Sequence, residues 1–559
     1  MNRFPGIKYG LVGGVCLVIL SMIGMVEAFN QREIISEVIS MGQMLLLAAT
    51  AFIAYPAAQH AGGGVKGLAA SVSAGVIMTA MLALLVLLGH TVNMRQVFIN
   101  VSPSLFQILT FQQESLWVGI GWMLLFGGVT GLLAGLLVMT PDLLRRVVIA
   151  ALTTVVLVGT LQDTISPIFS EWGPLADIND LIYEGNGLSI PGALGLFVAV
   201  AAAASTWILK GQSVKGRVQS LPPVSRRRLN IAMALLGGFV LLVLPHILGL
   251  FLSEVLVIIG LYIMLGLGLN IIIGFSGMLD LGHVAYFAIG SYTVAILTSP
   301  ELGFFSLNFW QALPFAIVMG VITGVLICTP VLKMRGDYLA ITTLGFGEII
   351  RILVLSDWLR PWLGGAQGIG KIPRAELFGF EFGTPQTLYY LILAGCLLIG
   401  FISWRLRDSR LGRSWMAVRE DEDVAQAMGI NLVSTKLKAF AVGAGFSALS
   451  GAIFATKLGS VYPHSFNVMI SINILCVIIV GGMGSIPGVI VGAAALVGLP
   501  ELLREFAEYR LLVYGAVLVA MMLLKPEGLW PEATHQRELH EEESDAGGAD
   551  VPETAVSRG

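Results

Sequence analysis

The chain has 559 residues, of which 56% are hydrophobic and 12% are charged, and its formal net charge is −3. This composition, with a mean hydropathy of +0.85, excludes an ordinary soluble fold. Apolar runs near the roughly 17–25 residues of a membrane-spanning helix recur along the sequence, whereas the short alternating segments of a transmembrane barrel do not. The sequence therefore predicts an all-α polytopic membrane protein.

Residues 1–209 form a first predicted block of six membrane helices. The apolar segments lie near 9–26, 38–58, 67–89, 117–139, 147–161 and 190–209. The first segment follows Arg3 and Lys8 and ends in Val-Glu-Ala, which resembles a signal-peptidase site. An uncleaved first span is the favoured interpretation, because the apolar run is long for a signal and many spans follow. We assign no role to this block.

The distribution of charge predicts the orientation in the membrane. The linker 210–229 contains six basic residues and no acidic residue, and the loop 162–189 contains five acidic residues and no basic residue. Because short cytoplasmic loops are enriched in Lys and Arg, we expect the linker inside and the loop outside. Both termini are then cytoplasmic.

Residues 230–530 form a second predicted block with ten further apolar segments, which brings the predicted number of spans to sixteen. These segments lie near 231–252, 254–274, 283–298, 311–332, 338–356, 386–404, 436–458, 467–482, 487–503 and 508–524. The acidic, Gly-containing tail 531–559 is predicted to be disordered.

A charged, helix-prone island interrupts this second block at residues 410–431. Asp423-Val-Ala followed by Gly429 has the coarse spacing of the cytoplasmic loop of ABC-importer permeases. A short helix that ends at a glycine with positive φ forms a compact turn that fits a groove on an ATPase. An ordinary solvated helix is the alternative. The candidate ATPase-coupling residues are Arg419, Glu420, Asp421, Asp423, Ala425 and Gly429.

Several long motifs accompany the island in a fixed order. They are GFSGMLDLGH (274–283), FAIGSY (287–292), GDYLAITTLGFGEIIR (336–351), GGAQGI (364–369), the 419–431 segment, GGMGSIPG (481–488) and KPEGL (525–529). Together they closely resemble the LivM-type permeases of branched-chain amino acid ABC importers over roughly residues 231–530. Two features depart from that family: Asp280 stands where Ser is common, and the N-terminal block is longer than expected.

The resemblance implies a ten-helix subunit of the bacterial inner membrane that pairs with a LivH-type permease. Two cytoplasmic ABC ATPase subunits and an external solute-binding protein would complete the importer, and lipid would surround it. No phosphate-binding G-x-x-x-x-G-K-[ST] motif occurs in the chain. We therefore expect no enzyme activity, no cofactor and no nucleic acid for this chain, with ATP used by the partner subunits.

Four ionisable residues are candidates for the transport pathway or its gate. His283 precedes a short helix, where it either packs or exchanges a proton. Asp337 follows Gly336 and is predicted to cap a helix, with gating as the alternative. Glu348 and Arg351 are spaced i, i+3 and are expected to pair, either structurally or as part of an aqueous path.

The predicted external loop 357–385 carries candidate contacts for the solute-binding protein. Trp358 and Trp362 provide aromatic anchors, and Lys371 and Arg374 provide charge. Interfacial anchoring in lipid is an equal alternative for the tryptophans. No cluster has the spacing of a metal site.

Import of Leu, Ile and Val by alternating access is the favoured function. Import of urea or short amides by the same scaffold is one alternative, which the 336–351 motif disfavours. An ion-coupled secondary transporter is another, but the corresponding halves with ion sites that it requires are not recognisable in the sequence.

Overall fold

A computed structural model describes residues 5–113, 115–171, 173–219, 222–332, 334, 336–502 and 509–531. These residues are mostly helical, and twelve of their helices are long and apolar enough to cross a membrane. Two compact units divide the chain, Met1–Gly238 and Phe239–Gly559. The predicted acidic tail, 531–559, lies outside the described residues except for position 531.

The N-terminal unit contains both long apolar helices and short connecting ones. They are α1 (Pro5–Met22), α2 (Met25–Phe29), α3 (Met41–His60), α4 (Gly64–Thr91), α5 (Pro103–Leu109), α6 (Leu116–Met139), α7 (Asp142–Thr160), α8 (Gln162–Glu171), α9 (Gly173–Ile182) and α10 (Ile190–Gln219). Helix α10 continues into the predicted linker, so the first ten linker residues are helical.

Small residues let α4 and α6 approach closely. A Cβ atom added to Gly127 or Gly131 of α6 would collide with the backbone oxygen of Gly75 or Ser71 of α4. Small residues at four-residue spacing are a common basis of helix packing in membranes, where backbone approach replaces the hydrophobic driving force. This close contact between α4 and α6 explains how uniformly apolar helices pack in a defined arrangement.

A small sheet joins two connections of the N-terminal unit. It consists of β1 (Glu33–Ile35), β2 (Ile39–Ser40), β3 (Tyr183–Glu184) and β4 (Gly187–Leu188) in the order β2-β1-β4-β3. The parallel register Ile35↔Leu188 ties the connection before α3 to the one before α10. These strands were not predicted from the sequence.

The second unit contains the remaining helices and a short hairpin. The helices are α11 (Pro223–Asn270, whose first residues precede the unit boundary), α12 (Val284–Thr298), α13 (Phe309–Val331), α14 (Asp337–Leu355), α15 (Arg360–Leu363), α16 (Pro385–Arg407), α17 (Arg410–Glu420), α18 (Glu422–Ala427), α19 (Leu432–Leu458), α20 (Val468–Gly481), α21 (Ile486–Ala493), α22 (Leu499–Leu502) and α23 (Arg510–Leu524). The hairpin pairs β5 (Glu376–Leu377) with β6 (Phe380–Glu381).

Helix α11 is kinked at Gly249, which has φ 71°. Its two arms correspond to the predicted segments 231–252 and 254–274. Three predicted segments correspond to shorter apolar helices, Val284–Thr298, Ile486–Leu502 and Tyr514–Leu523. The count of sixteen crossings, six before the linker and ten after it, stays a prediction.

The polar backbone near the kink is satisfied by side chains of α16. Pro245 has no N–H group, so the carbonyl of Leu241 lacks its helical donor. The hydroxyl of Tyr389 donates to this carbonyl at 3.1 Å, and that of Tyr390 donates to the Leu242 carbonyl at 2.8 Å. These bonds hold the first arm of α11 against α16.

Helix α19 forms the centre of the second unit, with 83% of its apolar window buried. It packs against α12 and α13 through small residues. A Cβ on Gly290 of α12 would collide with the Ala448 carbonyl, and one on Gly451 would collide with that of Phe287. The Ser291 hydroxyl donates to the Gly451 carbonyl at 2.8 Å. This helix and its neighbours position the site described next.

Candidate functional site

A non-helical segment, residues 276–283, lies inside the second unit. It follows a π-helical turn, Ile271–Phe275, and precedes α12. Helix α12 has 15 residues, about 22 Å at 1.5 Å per residue, whereas the hydrocarbon core is about 30 Å thick. Irregular backbone in the interior of a membrane protein is tolerated only if protein or water satisfies its polar groups.

Hydroxyl groups from three other helices satisfy this backbone. The amide of Leu281 donates to Thr343 Oγ1 of α14 at 3.1 Å, and that of Val284 donates to Ser471 Oγ of α20 at 2.9 Å. Ser447 of α19 donates to the His283 carbonyl at 3.4 Å. These bonds make the segment, hereafter the buried break (residues 276–283), a meeting point of α14, α19 and α20.

The buried break contains a fully buried ionisable pair. The carboxylate of Asp280 accepts the Gly282 amide at 3.0 Å, and its other oxygen lies 3.3 Å from His283 Nδ1. Nε2 of His283 and the hydroxyl of Tyr286 have no hydrogen-bond partner among the described residues. Because burial of ionisable groups in a membrane is costly, such groups usually mark a functional site. His283 is thus a candidate that the structure places at a chemically distinctive point.

Asp280 stood out in the sequence only as a departure from the family and was not among the predicted site residues. The available signal was its i, i+3 spacing to His283. The hydroxyls of Thr343, Ser447 and Ser471 carried no such signal, because partners so distant in sequence are brought together only by the fold.

Arg419 reaches the buried break from α17. Its Nη1 donates to the carbonyl of Gly274, in the π-helical turn, at 2.7 Å. Its stem packs against Gly277, since a Cβ there would lie 3.0 Å from Arg419 Cγ. The fully buried Trp415 fixes the same helix by donating from Nε1 to the Thr435 carbonyl at 2.9 Å.

Helix α18 and its flanks form the compact helix and turn that the sequence predicted. Asp421 caps the helix, since its Oδ1 accepts the amides of Asp423 and Val424 at 2.8 and 2.9 Å. Gly429 has φ +87°, and the amides of Gly429 and Ile430 donate to the carbonyls of Gln426 and Ala425. This pattern is a Schellman motif.

The same turn presents an exposed surface and one buried ion pair. Glu420 and Asp423 are exposed, whereas Ala425 is buried. Val424 and Met428, one helical turn apart, are 60% and 79% exposed. Underneath, Lys436 of α19 is 5% exposed and lies 2.6 Å from Glu422. We call residues 419–431 the coupling turn from here on.

The candidates in α14 are placed differently from one another. Asp337 is the first helical residue and is exposed, while Gly336 occupies the N-cap without a side-chain bond. The prediction that the Asp337 side chain caps this helix was therefore wrong; its charge instead favours the helix dipole. Glu348 and Arg351 form the expected pair, at 2.8 Å, with about a third of each side chain exposed.

The four docking candidates lie on one exposed loop region. Trp358 is exposed, and Trp362 stacks on Phe304 with ring centroids 5.0 Å apart. Arg374 pairs with Glu381 at 3.3 Å across the β5–β6 hairpin. Lys371 is exposed, with φ +54°. The structure thus supplies an aromatic and charged surface in this region.

No group of three or more His, Cys, Asp or Glu side chains suited to a metal ion occurs among the described residues. The ionisable residues of the site are instead arranged as pairs, at Asp280–His283 and Glu422–Lys436.

Comparisons with known proteins match the second unit. Residues 251–522 match the family described as "Branched-chain amino acid transport system / permease component". The LivM permease of Escherichia coli is 40% identical over 301 residues, which cover 50% of this chain and 69% of that protein. No solved structure matches the chain significantly.

Two more distant relatives cover a similar share of the chain. A probable LivM of Methanocaldococcus jannaschii is 23% identical over 329 residues, covering 50% of this chain and 93% of that protein. The LivH permease of E. coli is 26% identical over 286 residues, covering 48% of this chain and 90% of that protein. The chain belongs to the family of LivM-type permeases of branched-chain amino acid transport systems.

Proposed function

We propose that this chain is the LivM-type subunit of an ATP-driven importer of leucine, isoleucine and valine. It would pair with a LivH-type permease in the bacterial inner membrane, with both termini in the cytoplasm. Two ATPase subunits would dock on the cytoplasmic side of the permease pair and be coupled to this chain through the coupling turn, and an external solute-binding protein would deliver the substrate. The chain itself would bind no ATP.

The observation that carries this proposal is the bond from Arg419 to the Gly274 carbonyl. One end of this link is the exposed coupling turn, and the other is the turn that leads into the buried break. A displacement of the coupling turn by closing ATPases would therefore be transmitted to Asp280 and His283. A solvated helix without a partner would have no need of such a connection.

A second connection runs through α19. The Glu422–Lys436 pair joins the coupling turn to the first turns of this buried helix. At the other end, Lys457 pairs with Glu254 of α11 at 2.6 Å. Because α19 contacts the buried break through Ser447, a shift of this helix would also change the break. We infer that alternating access uses both connections.

The proposal is tested by leucine uptake into proteoliposomes that contain the chain with its permease, ATPase and binding-protein partners. ATP-dependent uptake that resists competition by urea supports it. ATP-dependent entry of urea without leucine uptake would keep the architecture and change the cargo to urea or short amides. Uptake that persists with a hydrolysis-deficient ATPase and follows an ion gradient would replace it by a secondary transporter.

A further inference from the structure

A polar cleft lies beside the small sheet of the N-terminal unit. It has a cavity volume of about 190 Å³, and polar side chains dominate its wall. Its polar lining includes Gln31, Arg32, Glu33, Gln162, Asp163 and Asn186.

The fold holds this lining in place. Arg32 immediately precedes β1 and Glu33 begins it, and Asn186 lies in the turn between β3 and β4. Gln162 at the start of α8 donates to the Gly185 carbonyl at 3.0 Å. Thus the connections before α3 and before α10, which are distant in sequence, are fixed against each other around one opening. Segments that only link helices would not need to be fixed in this way.

The sheet is also anchored to α7. The hydroxyl of the buried Tyr183 donates to the Val158 carbonyl at 3.1 Å. Burial raises the pKa of Tyr183 to about 12, so this donor keeps its proton at any physiological pH. The wall of the cleft is therefore preorganised, which lowers the entropic cost of binding a ligand.

Charges of both signs face the opening. Arg32 and Asp163 form an ion pair whose side chains remain 32% and 49% exposed. Glu33 adds a second carboxylate, which accepts the Glu37 amide at 2.8 Å. A guanidinium binds a carboxylate through two parallel bonds, and two neighbouring carboxylates suit an ammonium group.

We propose that this cleft binds a small hydrophilic zwitterion of the amino-acid type. The ligand would insert at the Arg32–Asp163 pair, with its carboxylate on Arg32 and its ammonium group on Asp163 and Glu33. The amides of Gln31, Gln162 and Asn186 would bind a polar side chain. Branched-chain amino acids are disfavoured, because few apolar side chains line the cleft. The inference does not depend on the transport proposal.

The test is isothermal titration of the full chain in nanodiscs with L-glutamine. Two analogues each lack one charge: 4-aminobutanamide has no carboxylate, and glutaramic acid has no ammonium group. We expect saturable binding of glutamine at one site and at least about tenfold weaker binding of both analogues, since each loses one charged contact.

Variants assign the binding to the cleft. Arg32→Gln and Asp163→Asn should each weaken glutamine binding about tenfold or more, and Arg32→Lys should weaken it less. Glu33→Gln keeps the ion pair and the acceptor for Glu37, so it tests the ammonium site without disturbing the wall. Arg145→Gln is the matched control, because it removes an ion pair with Asp142 on the same unit, outside the cleft.

Thermal unfolding of each variant shows whether it is folded. If an ion-pair variant does not fold, the binding measured with Glu33→Gln decides the outcome. The proposal is overturned if glutamine shows no saturable binding. It is equally overturned if both analogues bind as tightly as glutamine, or if Glu33→Gln and the folded ion-pair variants bind like Arg145→Gln.

Discussion

Arg419 in α17 donates from Nη1 to the backbone carbonyl of Gly274 at 2.7 Å. The bond joins a surface helix to the π-helical turn next to the buried break. A charged donor on a carbonyl forms one of the stronger hydrogen bonds in proteins, and here it links two segments 145 residues apart.

Replacing Arg419 by Gln should uncouple transport. The shorter neutral side chain loses the bond to Gly274, which is worth about 1.5–3 kcal/mol for a charged donor. We expect leucine uptake to fall about tenfold while the complex still assembles and hydrolyses ATP. Arg413→Gln is the control, since this α17 arginine is exposed and bonds only locally, to the Asp408 carbonyl. Equal uptake by the two variants would contradict the coupling role.

Met428 and Val424 should contribute to ATPase binding. Their exposed apolar side chains lie on one face of the coupling turn, and their burial at an interface would stabilise it by about 25 cal/mol per Å². Met428→Ser should weaken co-purification of the ATPase and lower uptake by at least about fivefold. Gln426→Ser, an exposed polar position on α18, should retain both. A substitution of Gly429 by Trp would be a less specific test, because any side chain at φ +87° also strains the turn.

The Glu422–Lys436 ion pair should stabilise the second unit only while both charged side chains are present. Lys436 is 5% exposed, so Glu422→Gln leaves a buried ammonium without its carboxylate, which typically costs about 3–5 kcal/mol. The double variant Glu422→Gln with Lys436→Met should recover much of this loss. Thermal unfolding of the purified chain measures both. A double variant less stable than Glu422→Gln alone would show that Lys436 has another essential partner.

The charge of Asp280 should matter more for transport than for folding. Asp280→Asn keeps an acceptor for the Gly282 amide but removes the charge beside His283. We expect normal amounts of the variant in the membrane and at least about tenfold lower uptake, because buried ionisable groups in membrane proteins usually mark functional sites. Asp337→Asn, at an exposed helix start, should change uptake less than about twofold. Unchanged uptake in Asp280→Asn would make the pair structural.

Deleting residues 1–209 should leave partial transport. The truncated chain retains the first arm of α11, whose Leu241 and Leu242 carbonyls are held by Tyr389 and Tyr390. Deleting residues 1–248 removes these partners and should prevent assembly. Membrane assembly and leucine uptake of the two truncations distinguish the cases. Failure of the 1–209 deletion to assemble with its partners would make the N-terminal unit an interaction module.

Local chemistry made parts of the site predictable. The cap at Asp421, the turn at Gly429 and the Glu348–Arg351 pair depend on residues at most a few positions apart. The cap assigned to Asp337 was wrong for a local reason as well. Gly336, with φ +58°, takes the N-cap itself, and spacing alone does not distinguish an N-cap from the next residue.

The amino-acid sequence by itself determined the membrane class, the positions of the apolar segments and the family. The length and hydropathy of an apolar segment predict a helix locally, and each family motif is a continuous stretch of sequence. Only the tertiary structure decided that Asp280 is buried with His283, that Arg419 reaches Gly274, and that two distant connections enclose a charged cleft at Arg32. These relations join residues up to more than a hundred positions apart, and their geometry follows from how whole helices pack, which no local pattern of residues specifies.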